Sequence, residues 1–268
     1  KPYVPESHLE VNPNGTKEGD FTFILGYPGR TYRNQTAEFL KYQNDYVLPI
    51  IADWFDYRID AINKYVGDDV NMQLAYSGTL ASLSNVTKNF KGKMQGLQRT
   101  DVIQQTFADQ NMLKAYAKSK PHLSEYVPLF DKNKELYKRK FELSRDYLYL
   151  NQLYGNAIFS TGAYISSYQQ KVQKAEDKST FLDSNAVKIK KTFASYPGIE
   201  KKESMELDLF TELYYQLSQS KLYEVRKIFT LKSIGGDEKS IKAYAATLWH
   251  KSKLKNVPQY SKLLDGNV

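Results

Sequence analysis

The chain has 268 residues, 41% of them apolar and 25% charged, with 22 Tyr, 13 Phe and no Cys. This length suits one large domain or two small ones with an aromatic-rich core, and the missing thiols exclude disulfides, thiolate zinc sites and a cysteine nucleophile. The net charge of +8 admits an acidic partner, but Lys and Glu are interspersed without an arginine-rich run or basic–aromatic platform, so nucleic-acid binding is not expected.

No apolar run reaches the length of a membrane span, and no signal-peptide pattern opens the chain. "KPYVPESHLEV" instead reads as an internal segment. Residues 1–19 are rich in Pro, Asn and Gly. Residues 21–25 alternate aromatic or aliphatic side chains with Thr, which predicts a strand. Pro28 and Gly29 in "YPGR" then predict a tight turn, Pro fixing φ at its second position and Gly accepting φ > 0 at the third. Three triplets, starting at Asn14, Asn34 and Asn85, match the glycosylation sequon, a pattern common by chance.

From about residue 37 helical periods dominate. An amphipathic helix is predicted over 48–66, a second over 69–98, and a third over 101–119 with Thr100 or Asp101 as N-cap. The longest pattern begins near Lys132: Leu143, Tyr147, Leu150, Tyr154, Ala157, Thr161, Tyr164 and Tyr168 recur at alternating steps of four and three, the spacing of a coiled-coil seam. No Pro interrupts 129–196, so one helix of roughly 60 Å is predicted, bent at Gly155 and Gly162. Further helices are expected at 179–195, 203–230 and 237–253, separated by "YPG" at 196–198 and "GG" at 235–236. The fold class is mainly α: an elongated helical bundle with a small N-terminal β element.

No catalytic motif stands out. There is no Gly-x-Ser-x-Gly or Gly-Asn/Asp-Ser-Gly turn for a serine nucleophile. His8, His122 and His250 are far apart and read as surface or capping residues. No His-Glu-x-x-His or EF-hand pattern offers a metal site, and no strand–glycine-loop–helix a phosphate cradle; neither metal nor cofactor is expected. Glu142, Asp146 and the acidic residues from Glu200 to Asp208 sit in charge-rich helical stretches, where a solvated face is the default.

The informative stretch is "LAYSGTLASLSNVTKNFKGKMQGL", residues 74–97. On a helix, Leu80, Leu83, Phe90, Met94 and Leu97 form an apolar stripe. Opposite them Gly78, Ser82, Asn85, Asn89, Gly92 and Gly96 follow steps of four and three. A purely solvated face would carry Lys and Glu instead. Two readings stay open: small residues that let another helix approach closely, or a cleft wall whose amides hold a polar ligand. Asn suits the second, because its carbonyl accepts from an ammonium and its NH2 donates to a peptide carbonyl with no net charge to desolvate.

Three stretches resemble the bacterial dipeptidyl-peptidase 7/11 family, serine peptidase family 46. "KEGDFTFILGYPGRTYR" is similar to that family's Gly-Asp-Phe-Thr strand and Gly-Tyr/Phe-Pro-Gly-x-Thr turn. "ASLSNVTKNFKGKMQGL" is similar to its segment with Asn, Lys, Asn and a Gly-Leu ending, and "EKKESMELDLFTELYYQL" to a late helix of its helical domain. The likeness is dense in the first hundred residues.

The resemblance implies a chymotrypsin-like double β-barrel interrupted by a helical domain that caps the active-site cleft. Residues 1–36 would then be a barrel remnant and 37–268 the cap, with the family's catalytic His, Asp and Ser outside this chain. The catalytic residues expected in the chain are therefore none, and the isolated chain is expected to be inactive. Carried across by position, Asn85 matches the helical-domain Asn that holds the substrate's free α-amino group, and Asn89 the second Asn of that segment. Val86 and Thr87 stand where the family usually has aromatic residues. The implied partners are peptides with a free N-terminus and the rest of the catalytic domain, and a homodimer of the parent is an arrangement the resemblance allows. The implied location is periplasmic or secreted. The competing expectation is a non-catalytic, basic helical interaction module of the cell envelope.

Overall fold

The computed structural model describes residues 5–7, 9–23, 25–27, 34–174, 176, 203–229 and 236–252. The chain divides into two units, Lys1–Gln35 and Thr36–Val268.

In the first unit the described residues include turns and bends but no strand. The strand expected over 21–25 is not formed there: Phe21, Phe23 and Leu25 are 89%, 69% and 79% exposed. A strand is held by ladder hydrogen bonds to neighbours, and without them alternating residues leave their apolar side chains in water. The turn expected at 27–30 falls mostly outside the described residues.

The second unit is helical. α1 (Ala37–Tyr42) is capped by Thr36, whose side chain accepts from the Phe39 N–H at 3.2 Å. It passes through one π-helical turn, Gln43–Val47, into α2 (Leu48–Val66). The wide turn precedes Pro49, whose ring would clash with the Asp45 carbonyl in a regular helix. α2 ends at Gly67, where φ of +51° is one a side chain rarely adopts. Asp69 then caps α3 (Val70–Arg99) by accepting from the N–H groups of Asn71 and Met72 at 2.9 and 3.1 Å. α4 spans Val102–Ser119, and a 3-10 segment, Pro121–Tyr126, turns the chain into α5 (Val127–Tyr154). α6 (Ala157–Lys174), α7 (Glu203–Ser218), α8 (Tyr223–Phe229) and α9 (Glu238–Lys251) complete the described helices.

The core gathers around α7, which buries Met205, Leu209, Phe210, Leu213, Tyr214 and Leu217. Trp249 of α9 packs against Phe210 in a tilted pair with ring centroids 5.5 Å apart, and Phe229 of α8 meets Tyr214 edge-on at 5.1 Å. Trp54 and Ile62 of α2, Leu83 of α3 and Leu153 of α5 join the same cluster.

Three expectations about the helices need correction. The single helix from 132 is interrupted: at Gly155 and Asn156 the backbone tightens to bonds onto the carbonyls of Gln152 and Leu153, and a new helix starts at Ala157. The helix expected over 203–230 likewise breaks between Ser218 and Tyr223. The predicted seam is only partly the buried face: Leu150 packs against the core and Tyr168 is buried, but other members are not. Leu143, Tyr147 and Tyr154 face water at 41%, 58% and 60% exposure, whereas Ser144, Asp146, Leu148 and Leu153 are buried. Apolar periodicity misses this face because polar residues occupy it, each bonded inside: the Ser144 hydroxyl donates to the Lys140 carbonyl, and Asp146 accepts from Ser220. The helix expected at 179–195 and the break at 196–198 lie outside the described residues.

Candidate functional site

α3 has two unlike faces. Met72, Tyr76, Leu80, Leu83, Thr87, Phe90, Met94 and Leu97, at steps of four and three, are buried or half-buried. α3 packs on α2, and Lys91 reaches across to Asp56 of α2 at 2.5 Å. The apolar stripe expected from the sequence is therefore the packing face.

The opposite face is bare. Gly78, Ser82, Asn85, Asn89, Gly92 and Gly96 are all exposed. A Cβ built on Gly78, Gly92 or Gly96 would meet nothing within 4 Å. No helix of the described residues lies over this face, so among the described residues the small side chains do not serve close helix packing. The bare strip runs about 27 Å from Gly78 to Gly96 at 1.5 Å per residue. Asn85 and Asn89, one turn apart at its middle, make no hydrogen bond among the described residues. Each offers a free carbonyl and a free NH2, a pair able to accept from an ammonium and donate to a peptide carbonyl.

The other polar residues singled out in the sequence are either exposed or absorbed into structure. His122 lies exposed in the 3-10 segment and His250 exposed in the last turn of α9, while His8 lies outside the described residues. The acidic residues of α7 are not a solvated face. Glu203 accepts from the Trp249 indole N–H at 3.3 Å, Glu206 from the Asn156 side chain at 3.2 Å, and Asp208 from the hydroxyls of Tyr57 and Tyr65 at 2.8 and 3.1 Å. Glu142 is exposed. No group of three metal-ligating residues occurs among the described residues, and no described helix is long and apolar enough to cross a membrane.

Sequence reasoning missed Glu38. It is only 7% exposed and accepts from Gln110 of α4 and Asn133 of α5, each at 3.1 Å, so one carboxylate ties three helices. No local signal marks it, because its partners lie 72 and 95 residues away.

The chain belongs to the peptidase S46 family, whose model matches residues 1–268. It is 35% identical over 124 residues to an Asp/Glu-specific dipeptidyl-peptidase of Shewanella putrefaciens, covering 46% of this chain and 17% of that protein. It is 33% identical over 96 residues to dipeptidyl-peptidase 7 of Capnocytophaga gingivalis, 36% of this chain and 13% of the relative. Along its whole length it is 23% identical to an Asp/Glu-specific dipeptidyl-peptidase of Flavobacterium psychrophilum, spanning 36% of that protein. The chain thus spans little more than a third of these relatives at most.

Proposed function

We propose that this chain is the helical domain of a bacterial serine-type dipeptidyl aminopeptidase, capping the active-site cleft and anchoring the substrate's N-terminus so that dipeptides are released. The observation that carries the reading is the bare α3 face with two amides lacking hydrogen-bond partners at its centre. Family membership and the names of the relatives support a peptidase acting on peptide N-termini.

In this reading Asn85 holds the substrate's α-ammonium through its side-chain carbonyl, and Asn89, one turn on, bonds the peptide backbone. The opposing wall of the cleft, with the serine nucleophile, its histidine base and the aspartate, belongs to the rest of the parent enzyme. Residues 1–36, with Phe21, Phe23 and Leu25 alternating, are a piece of that chymotrypsin-like barrel, and the enzyme works in the periplasm or outside the cell. A fixed distance from amine anchor to nucleophile makes the cut fall after two residues. Positioning of this kind contributes several kcal/mol to a barrier. An uncharged amide suits the task because it leaves no buried carboxylate when the site is empty.

The test is kinetic. In the full-length enzyme Asn85→Ala lowers kcat/KM on dipeptidyl substrates tenfold or more, while this chain alone hydrolyses none. Unchanged kinetics in the variant remove Asn85 from the site.

A second reading, a basic helical interaction module of the envelope, is favoured by the ridge of Leu129, Leu136, Leu143, Tyr147 and Tyr154, each 41% exposed or more. It predicts that the parent's activity is indifferent to the α3 amides.

A further inference from the structure

Lys88 follows Asn85 by three residues, and its side chain is exposed. Residues three apart on a helix are neighbours, with Cβ atoms roughly 5–6 Å apart. The lysine next along shows what the structure does with a cation on the other side: Lys91 is drawn back onto α2 by Asp56 at 2.5 Å. Lys88 makes no ion pair or hydrogen bond among the described residues. Its charge is therefore available beside the amide face.

We propose that Lys88 is a specificity determinant of the peptidase, favouring an acidic and rejecting a basic side chain on the first residue of the substrate. The proposal rests on the reading that Asn85 anchors the α-amino group. Amine and first side chain share one α-carbon, so holding the amine on Asn85 places that side chain within reach of a flexible lysine. In an extended peptide the second side chain points the opposite way, away from α3. The uncharged anchor matters as well. An aspartate at position 85 would pair with Lys88 and cancel it, whereas Asn85 leaves the ammonium free to act on the substrate. Lys88 also repels the substrate's own α-ammonium, but equally for every substrate, so its signature is a ratio between substrates.

The experiment uses the full-length enzyme and three free-amine substrates that differ only in the first residue: Glu, Gln or Lys. The wild type is expected to rank them Glu, Gln, Lys in kcat/KM, with about threefold per step, the size of an exposed charge–charge contact. Lys88→Gln should level the series, Lys88→Glu invert it and Lys88→Arg preserve it. The wild-type discrimination should shrink between about 0.05 and 0.5 M salt, which a structural role would not produce. A Glu-to-Lys ratio unchanged in both Lys88→Gln and Lys88→Glu overturns the proposal while leaving the anchor standing if Asn85→Ala slows all three substrates alike. An Asn85→Ala enzyme that keeps full activity on all three overturns the anchor and this proposal together.

Discussion

Tyr57 donates a 2.8 Å hydrogen bond to Asp208, 151 residues further along the chain. Tyr65 and Lys64 reach the other oxygen of the same carboxylate, each at 3.1 Å. One side chain of α7 thereby fastens two turns of α2, the helix that carries α3 and its amides.

Acid should release this fastening. Burial pushes the Asp208 carboxyl up, but the bonds from Tyr57, Lys64 and Tyr65 and the Lys64 charge outweigh it and leave the group below the ordinary aspartate value. A depressed folded-state pKa means that the contribution is complete above the unfolded value, near 4, and is lost as pH falls through the folded value. Burial, then the Asp208 bond, pushes the Tyr57 hydroxyl well above the usual phenol range, so it stays a donor throughout. Tyr57→Phe is expected to cost about 1–2 kcal/mol at pH 7 and less at an acid pH below the folded value of Asp208, where the partner is protonated. Denaturant titrations of both proteins at the two pH values check this; an equal cost at both would show the bond to be unimportant.

A related gain is expected from Thr87. It is 4% exposed, and its hydroxyl oxygen is buried with no hydrogen-bond partner. Thr87→Val keeps the β-branched shape and removes an unsatisfied polar atom, so it should stabilise the chain by about 1 kcal/mol. Thermal unfolding should show a rise of about 2–4 °C. A fall in Tm would mean that the hydroxyl finds a partner in solution.

How much of this was legible in the sequence depends on the range of the interaction that decides it. The span of α2 follows from local periodicity and the structure places it as read, whereas α3, expected from residue 69, starts at Val70 with Asp69 as its cap. The division of α3 into an apolar and a small-amide face was also local, and only its partner was undecided. The break at Gly155 was half-legible: two glycines marked bends, yet the helix stops at one and runs through Gly162. The buried side of α5 was not legible, because Ser144 and Asp146 are sheltered by partners that only the fold supplies. The same holds for Glu38 and for the Tyr57–Asp208 bond. A strand at 21–25 depends on ladder neighbours, which no local pattern provides.

Gly92 separates stability from function on the α3 face. Its missing Cβ has open space around it, so Gly92→Ala in this chain should gain about 0.5–1 kcal/mol from helix propensity alone. If the α3 face lines the cleft as proposed, the added methyl in the full-length enzyme intrudes on the peptide or the opposing wall, and kcat/KM should fall at least threefold despite the stabler helix. Paired unfolding and kinetic measurements decide this, and a variant both stabler and fully active would show that nothing approaches there.

Anchoring of the amine by Asn85 also makes a prediction about coupling. N-acetylation of the substrate removes the charge that the amide is proposed to hold, and Asn85→Ala removes the amide. If both break one contact, acetylation should cost the wild-type enzyme tenfold or more and the variant much less, a coupling of about 1 kcal/mol or above. Costs that simply multiply would place the amine elsewhere.

The last prediction concerns the break between α7 and α8. Ser220 is 1% exposed and donates to Asp146 at 2.5 Å, and the Leu222 N–H donates to the same Ser220 hydroxyl oxygen at 3.0 Å. The hydroxyl thus satisfies a buried carboxylate and holds the turn that starts α8. Asp146 has Arg145 only at 3.4 Å as a second partner. Ser220→Ala leaves that buried carboxylate short of a donor, which should cost about 2–3 kcal/mol, more than deleting an exposed hydroxyl. Ser220→Ala combined with Asp146→Asn should recover part of the loss, since an amide carries no charge to strand. Equilibrium unfolding of the two single variants and the double variant would reveal it, and strictly additive losses would show that Ser220 and Asp146 stabilise the fold independently.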